Sequence, residues 1–126
     1  MVPDDLRYTK EHEWLRVDGD EATIGITKFA ADQLGDVVFV ELPGQGKALV
    51  QFTTFGVVES VKAVSDLFAP ITGDVVATNN ALEATPELVN TDPYGEGWMV
   101  RVRIGDAAQL DALLDAAAYE QLAGEG

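Results

Sequence analysis

The feature that most constrains this chain is a lysine set between two apolar runs with no polar loop to separate them. Residues 57–61 before Lys62 and residues 64–71 after it are rich in β-branched and apolar side chains, which favour strands. The pattern predicts a tight β-hairpin with Lys62 at or beside its tip. A lysine there projects its ammonium group into water and adds nothing to the core. Many hairpin tips carry solvated lysines, so spacing alone leaves both a plain surface residue and a chemical handle open.

Alternating apolar residues predict further strands on both sides of this hairpin. The chain from Trp14 to Ile26 indicates a hairpin with one buried face, which turns at residues 18–20. Residues 36–42 are almost continuously apolar, which is typical of a central strand covered on both faces. Residues 47–52 predict one more strand. Residues 1–7 are polar and contain a proline, and we expect them to lie extended on the surface.

Helices are expected only between and after these strands. Thr27 is a candidate N-cap for a short helix over residues 28–34. Residues 79–97 form an insertion that predicts short helical turns followed by a turn-rich loop. Asp106 is a candidate N-cap for a C-terminal helical segment over about residues 106–123, in one or two pieces. Its apolar residues keep helical spacing, so one face should pack on the sheets.

A short internal repeat indicates how the strands are arranged. Residues 73–76, Gly-Asp-Val-Val, repeat residues 35–38, and an apolar strand lies downstream of each copy. A sandwich of two similar half-sheets would produce this repeat. We therefore expect a mainly β fold with short peripheral helices and a C-terminal helix. A length of 126 residues with 47% hydrophobic content suits one domain over residues 1–126.

The charge and the absent residue types exclude several classes of function. A formal net charge of −14 would repel nucleic acid and anionic membrane surfaces, so partners should present basic patches. No apolar run is long enough to span a bilayer, and the N-terminus does not resemble a signal peptide. We therefore expect a soluble cytoplasmic protein. The chain has no cysteine, which excludes disulfides and thiolate catalysis.

No motif predicts catalysis or metal binding. His12 is the single histidine, and its spacing from nearby carboxylates matches no zinc or calcium pattern, so a structural or surface role is expected for it. Ser60 and Ser65 flank Lys62 without a general base or a nucleophile elbow. The many carboxylates are expected to be solvated surface charge. These observations give a catalytic site little support from the residues themselves.

Five sequence blocks carry a resemblance to a known family. The block around Lys62, with Gly56 before it and Gly73 after it, resembles the attachment site of biotinyl/lipoyl carrier domains. All five together resemble the H-protein family of the glycine cleavage system over nearly the whole chain. In chain order the blocks are His12-Glu13-Trp14, Ala22-Thr23-Ile24-Gly25-Ile26-Thr27, Leu34-Gly35-Asp36-Val37-Val38-Phe39-Val40-Glu41-Leu42-Pro43, Glu59-Ser60-Val61-Lys62-Ala63 and Asp92-Pro93-Tyr94-Gly95-Glu96-Gly97-Trp98-Met99.

The resemblance implies a lipoyl-type barrel-sandwich hybrid that is not an enzyme but serves as the covalent carrier subunit of a multienzyme system. Lipoate would be attached to Lys62, and Glu59 would be recognised by the lipoyl-attaching enzyme. The lipoyl group would take an aminomethyl group from glycine decarboxylase, a pyridoxal-phosphate enzyme, to the tetrahydrofolate-dependent aminomethyltransferase. Dihydrolipoamide dehydrogenase, a FAD enzyme, would reoxidise it. Biotin attachment is disfavoured because Lys62 lacks flanking methionines.

The resemblance also implies a cleft that shelters the loaded arm. Glu13 and Asp66 match acidic cleft residues of the family by motif position, and Leu34 matches an apolar one. The alternative is that both carboxylates are solvated strand and turn residues. Gln33 stands where some relatives have histidine, which puts a role for imidazole in doubt at that position.

Two other functions are left open by the sequence. The chain could carry or donate lipoate for a complex other than the glycine cleavage system. It could also be a small standalone enzyme or a plain interaction module that has the fold without the modification. Modification of Lys62 in cells that lipoylate proteins would separate the second alternative from a carrier.

Overall fold

Nine antiparallel strands form two sheets of unequal size in residues 2–124, the part of the chain that the computed structural model describes. The larger sheet has the order β1-β2-β3-β9-β8-β5, and the smaller one has the order β4-β6-β7. Met1, Glu125 and Gly126 lie outside the described residues. The strands are β1 (Arg7–Tyr8), β2 (Glu13–Asp18), β3 (Glu21–Ile26), β4 (Val37–Glu41), β5 (Ala48–Leu49), β6 (Thr54–Ser60), β7 (Val64–Phe68), β8 (Gly73–Thr78) and β9 (Val100–Ile104).

Short helices fill the connections. Thr27 caps the first of them as predicted, because its Oγ1 accepts a hydrogen bond of 3.2 Å from the Ala30 amide. Gly35 ends that helix with a φ of 81°, which glycine adopts without strain. The C-terminal segment is divided into a 3-10 helix and an α-helix. The helices are α1 (Lys28–Leu34), α2 (Ala81–Ala84), α3 (Leu88–Thr91), the 3-10 helix Ala107–Ala112 and α4 (Ala116–Gly124).

The core lies between the two sheets and continues under the helices. Apolar residues of the larger sheet form one buried cluster, and those of the smaller sheet form a second cluster with α1, α2 and α3. Leu42 and Phe55 pack against both clusters, so the two halves share one interior. A third cluster joins Tyr8 and Trp14 to Tyr119 of α4, whose ring stacks on that of Tyr8 with centroids 4.7 Å apart.

The sequence repeat is visible in the strand pairing. Residues 35–38 lead into β4, which pairs with β6, and residues 73–76 begin β8, which pairs with β9. The two copies therefore occupy different sheets. The sheets differ in size because β1, β2 and β3 extend only the one that contains β8 and β9.

Three predictions about local structure are wrong. Residues 36–42 are not covered on both faces: β4 is an edge strand with a bulge between Val37 and Phe39, and Phe39 is 48% exposed. The strand over residues 47–52 is limited to β5, because Phe52 has a φ of 68°, which a strand cannot include. Residues 1–7 are not wholly on the surface, since Leu6 is buried in the third cluster.

None of the helices within residues 2–124 has the length and apolar character needed to cross a membrane.

Candidate functional site

Lys62 lies at the tip of the hairpin formed by β6 and β7. The last cross-strand pair is Glu59 with Val64, and the side chain of Lys62 is exposed beyond it. The Ser60 Oγ accepts hydrogen bonds from the backbone amides of Lys62, at 3.2 Å, and Ala63, at 3.0 Å. The backbone of the tip is therefore held by Ser60 while the lysine side chain is left free to move.

A cleft of about 490 Å³ opens beside this hairpin, between β7, the start of β2 and α1. It brings together Glu13, Leu34 and Asp66, three residues that are far apart in the sequence, and Gln33 lies on the same wall. Glu59 does not line the cleft. It is on β6, between Phe39 of β4 and Val64 of β7.

Glu13 is the buried acid of this cleft. Its side chain is 1% exposed; one carboxylate oxygen accepts from the Thr9 hydroxyl and the other accepts from the Phe68 amide at 3.1 Å. Burial raises the pKa of Glu13 from 4.5 to about 7, against the opposing effect of these two hydrogen bonds. A solvated Glu13 is therefore excluded. A carboxyl with a pKa near neutrality can give or take a proton at the pH of a cell.

The other three predicted residues sit nearer to solvent. Asp66 is exposed on β7, where it pairs with Val57, and Gln33 is exposed on α1. Leu34, the last residue of α1, is half-buried and packs against the second core cluster. The cleft therefore has one carboxyl in its interior, one at its rim and an apolar side chain between the core and the opening.

His12 also lines the cleft, which the sequence did not predict. It has a left-handed φ of 73°, unusual for a residue with a side chain, and its Nδ1 lies 2.7 Å from the Tyr119 hydroxyl. That hydroxyl lies 2.8 Å from the Thr27 Oγ1, and the imidazole packs against Phe29. Burial lowers the pKa of His12. The sequence contained one signal for this position of His12, namely that the single histidine precedes Glu13. Its partner Tyr119 could not be predicted, because α4 brings it there from 107 residues away.

The described residues contain no group of three or more histidine, cysteine or acidic side chains that could hold a metal ion. The geometry is therefore that of an exposed lysine on a rigid hairpin, next to a cleft with one buried carboxyl.

The family model for the glycine cleavage H-protein matches residues 6–126. The chain belongs to the glycine cleavage H-protein family. It is 67% identical over 118 residues to the glycine cleavage system H protein of Magnetococcus marinus, with 94% of this chain and 84% of that protein covered. It is 60% identical over 125 residues to the one of Symbiobacterium thermophilum, with 99% of this chain and 98% of that protein covered.

A solved structure gives the same result. The crystal structure of a glycine cleavage system H protein from Mycobacterium marinum superposes with a TM-score of 0.87 at 39% identity, covering 98% of this chain and 99% of that one. The mainly β fold expected from the sequence, with short helices and a C-terminal helix, is confirmed.

Membership of this family establishes the class of function. The chain is a lipoyl-bearing carrier of the glycine cleavage system and not a catalyst, it carries lipoate on a lysine, and it works with the other components of that system.

Proposed function

We propose that Lys62 is the lysine to which lipoate is attached. The observation that supports this assignment is the exposure of the lysine at the tip of a two-stranded mount, beyond its last cross-strand pair. An amide between Nζ and the lipoyl carboxyl removes the charge of the ammonium group, and no contact in the described structure depends on that charge. The bound lipoyl group would supply a dithiolane, a cyclic disulfide that can be reduced to two thiols and formed again by oxidation.

The cleft is the proposed resting place of the loaded arm. Glu13 and Asp66 would hold the amine of the arm in the cleft, because their carboxylates can accept hydrogen bonds from it. Leu34 would cover the apolar part of the arm. Glu13 would act in the buried interior of the cleft, where the exclusion of water strengthens its hydrogen bonds. Gln33 is a neutral residue at the rim and could donate or accept one hydrogen bond.

We propose that Glu59 is part of the surface that the lipoyl-attaching enzyme recognises. It is half-buried on β6, three residues before Lys62. The further partners are glycine decarboxylase, which would load the carrier, the tetrahydrofolate-dependent aminomethyltransferase, which would unload it, and dihydrolipoamide dehydrogenase, which would reoxidise it. The net charge of −14 would steer this carrier to basic surfaces on them. The proposed place of these encounters is the cytoplasm.

The first experiment is the intact mass and peptide map of the protein expressed with lipoate and its attaching enzymes. We expect one lipoyl adduct, on Lys62. Lys62→Arg should fold, remain unmodified and fail to support glycine cleavage. Lys47→Arg, a matched change at another exposed lysine, should be modified and active. An adduct on another lysine, or glycine cleavage by Lys62→Arg, would rule out the assignment.

A further inference from the structure

We propose that Asn90 of α3 is a positioning residue for the hairpin tip that carries Lys62. It acts through residues 35–37, the corner at which the chain passes from α1 into β4. The proposal rests on the proposed attachment of lipoate to Lys62, and it assigns a role to the insertion over residues 79–97.

The side chain of Asn90 binds three backbone groups at this corner. Its Oδ1 accepts a hydrogen bond of 2.8 Å from the Val37 amide, and its Nδ2 donates to the carbonyl oxygens of Gly35, at 2.8 Å, and Ala31, at 3.4 Å. The Ala31 carbonyl also accepts a hydrogen bond of 3.1 Å from the Gly35 amide, which closes the last turn of α1. One half-buried amide therefore joins the end of α1 to the beginning of β4.

The same corner supports the hairpin tip. The carbonyl oxygen of Asp36, between the two residues that Asn90 holds most closely, accepts a hydrogen bond of 3.0 Å from the Val61 amide. The side chain of Lys62 passes over Gly35: a Cβ atom built on Gly35 would lie 3.4 Å from the Lys62 Cε. The corner thus contacts the tip in two ways. The Asp36 carbonyl accepts a hydrogen bond from the Val61 amide, and the Lys62 side chain lies against Gly35, which has no side chain of its own.

The ladder between β4 and β6 reaches the same corner, where Val37 pairs with Ser60. The hydrogen bonds of Ser60 to residues 62 and 63 are internal, so they determine the shape of the tip and not where it lies. The bulge between Val37 and Phe39 separates the Val37–Ser60 pair from the rest of the β4–β6 ladder, so the rest of that ladder holds the tip less directly. The hydrogen bond between Val61 and Asp36 and the pair between Val37 and Ser60 therefore both depend on the corner that Asn90 holds.

An asparagine is suited to this position because one planar amide provides both an acceptor and a donor. An aspartate of the same shape keeps the acceptor for the Val37 amide but places an oxygen against the carbonyl of Gly35. We therefore choose Asn90→Asp as the test. The matched control is Asn80→Asp, the same change at an exposed asparagine whose side chain caps no helix.

The first readout is amide hydrogen exchange measured by NMR. In Asn90→Asp, we expect exchange of the Val61 amide to rise at least about tenfold relative to that of Ala63, whose partner Ser60 lies within the tip. Val61 and Ala63 both lie in the exposed tip, where amides exchange by local opening, so a general loss of stability does not by itself change the ratio of the two rates. An unchanged ratio in Asn90→Asp would therefore overturn the proposal.

The second readout is the kinetics of lipoylation by the attaching enzyme. We expect KM for Asn90→Asp to rise about tenfold and kcat to change by less than about twofold, because the enzyme must order a tip that the corner no longer holds. Asn80→Asp should match the unaltered protein in both constants. Equal KM values for the two variants would contradict the proposed role.

Two outcomes separate the possible failures. If Lys62 of the unaltered protein is not lipoylated, the attachment assignment fails, while the exchange ratio still tests the link from Asn90 to the tip. If Asn90→Asp does not fold, the scalar coupling across the hydrogen bond between the Val61 nitrogen and the Asp36 carbonyl carbon can be measured in the unaltered protein. Its absence, with a rapidly exchanging Val61 amide, would overturn the proposal, and its presence would support it.

Discussion

Replacing Glu13 with glutamine tests the buried carboxyl of the cleft. Burial raises the pKa of Glu13 from 4.5 to about 7, so the folded protein binds a proton more tightly than the unfolded chain does. The stability that this proton provides is complete below pH 4.5 and is lost as the pH rises through 7. Glutamine has nearly the same shape and does not titrate. The free energy of unfolding of Glu13→Gln should therefore lack this pH dependence.

The two pKa values set the size of the effect. They differ by 2.5, and at about 1.4 kcal/mol for each pKa unit the full effect on the free energy of unfolding is about 3.5 kcal/mol. Between pH 5 and pH 8, where most of the titration falls, the unaltered protein should lose about 2.5 kcal/mol relative to Glu13→Gln. The hydrogen bonds that glutamine makes less well to Thr9 and Phe68 add a constant difference, which cancels when two pH values are compared.

Urea unfolding followed by tryptophan fluorescence at pH 5, 6, 7 and 8 measures this difference. Other groups whose pKa changes on folding, such as His12, are present in both proteins and cancel. Glu83→Gln removes a carboxylate from an exposed position of α2, and its stability should follow that of the unaltered protein within about 0.5 kcal/mol at every pH. Parallel curves for Glu13→Gln and the unaltered protein would show that Glu13 has an ordinary pKa and would refute the argument.

Two further substitutions test the tip and the packing of the larger sheet. Ser60→Ala removes the acceptor for two backbone amides of the tip, so it should lower the kcat/KM of lipoylation about three- to tenfold. Ser65→Ala should leave kcat/KM unchanged. Both values are measured by adduct formation with the attaching enzyme. Gly25→Ala would place a Cβ 2.6 Å from the Trp14 ring and should cost about 1–3 kcal/mol of stability in thermal unfolding, whereas Gly44→Ala, with no atom within 4 Å, should cost less than about 1 kcal/mol.

The structure holds α1 at both ends, which matters because this helix forms one wall of the cleft. At its start, the cap residue Thr27 contacts the Tyr119 hydroxyl, which also contacts His12. At its end, Asn90 binds the backbone of the last turn. Residues from two distant parts of the chain thus place the wall that presents Leu34 to the cleft.

The sequence by itself determined the local elements. The hairpin around Lys62, the cap at Thr27 and the end of α1 at Gly35 follow from β-branched runs, a side-chain acceptor and a residue without a Cβ, all of which act over a few neighbouring positions. The five sequence blocks also identified the family, because their order along the chain is preserved in a linear comparison.

Only the tertiary structure decided which faces are buried and which residues meet. An apolar run does not show whether its strand is central or at an edge, and for that reason β4 exposes Phe39. The burial of Glu13 depends on the Phe68 amide, 55 residues away, and the roles of Asn90 and Tyr119 depend on segments that contact α1 only after folding. Desolvation and hydrogen bonding act between atoms that are close in space. The raised pKa of Glu13 and the contacts that place Lys62 therefore leave no pattern in the sequence next to these residues.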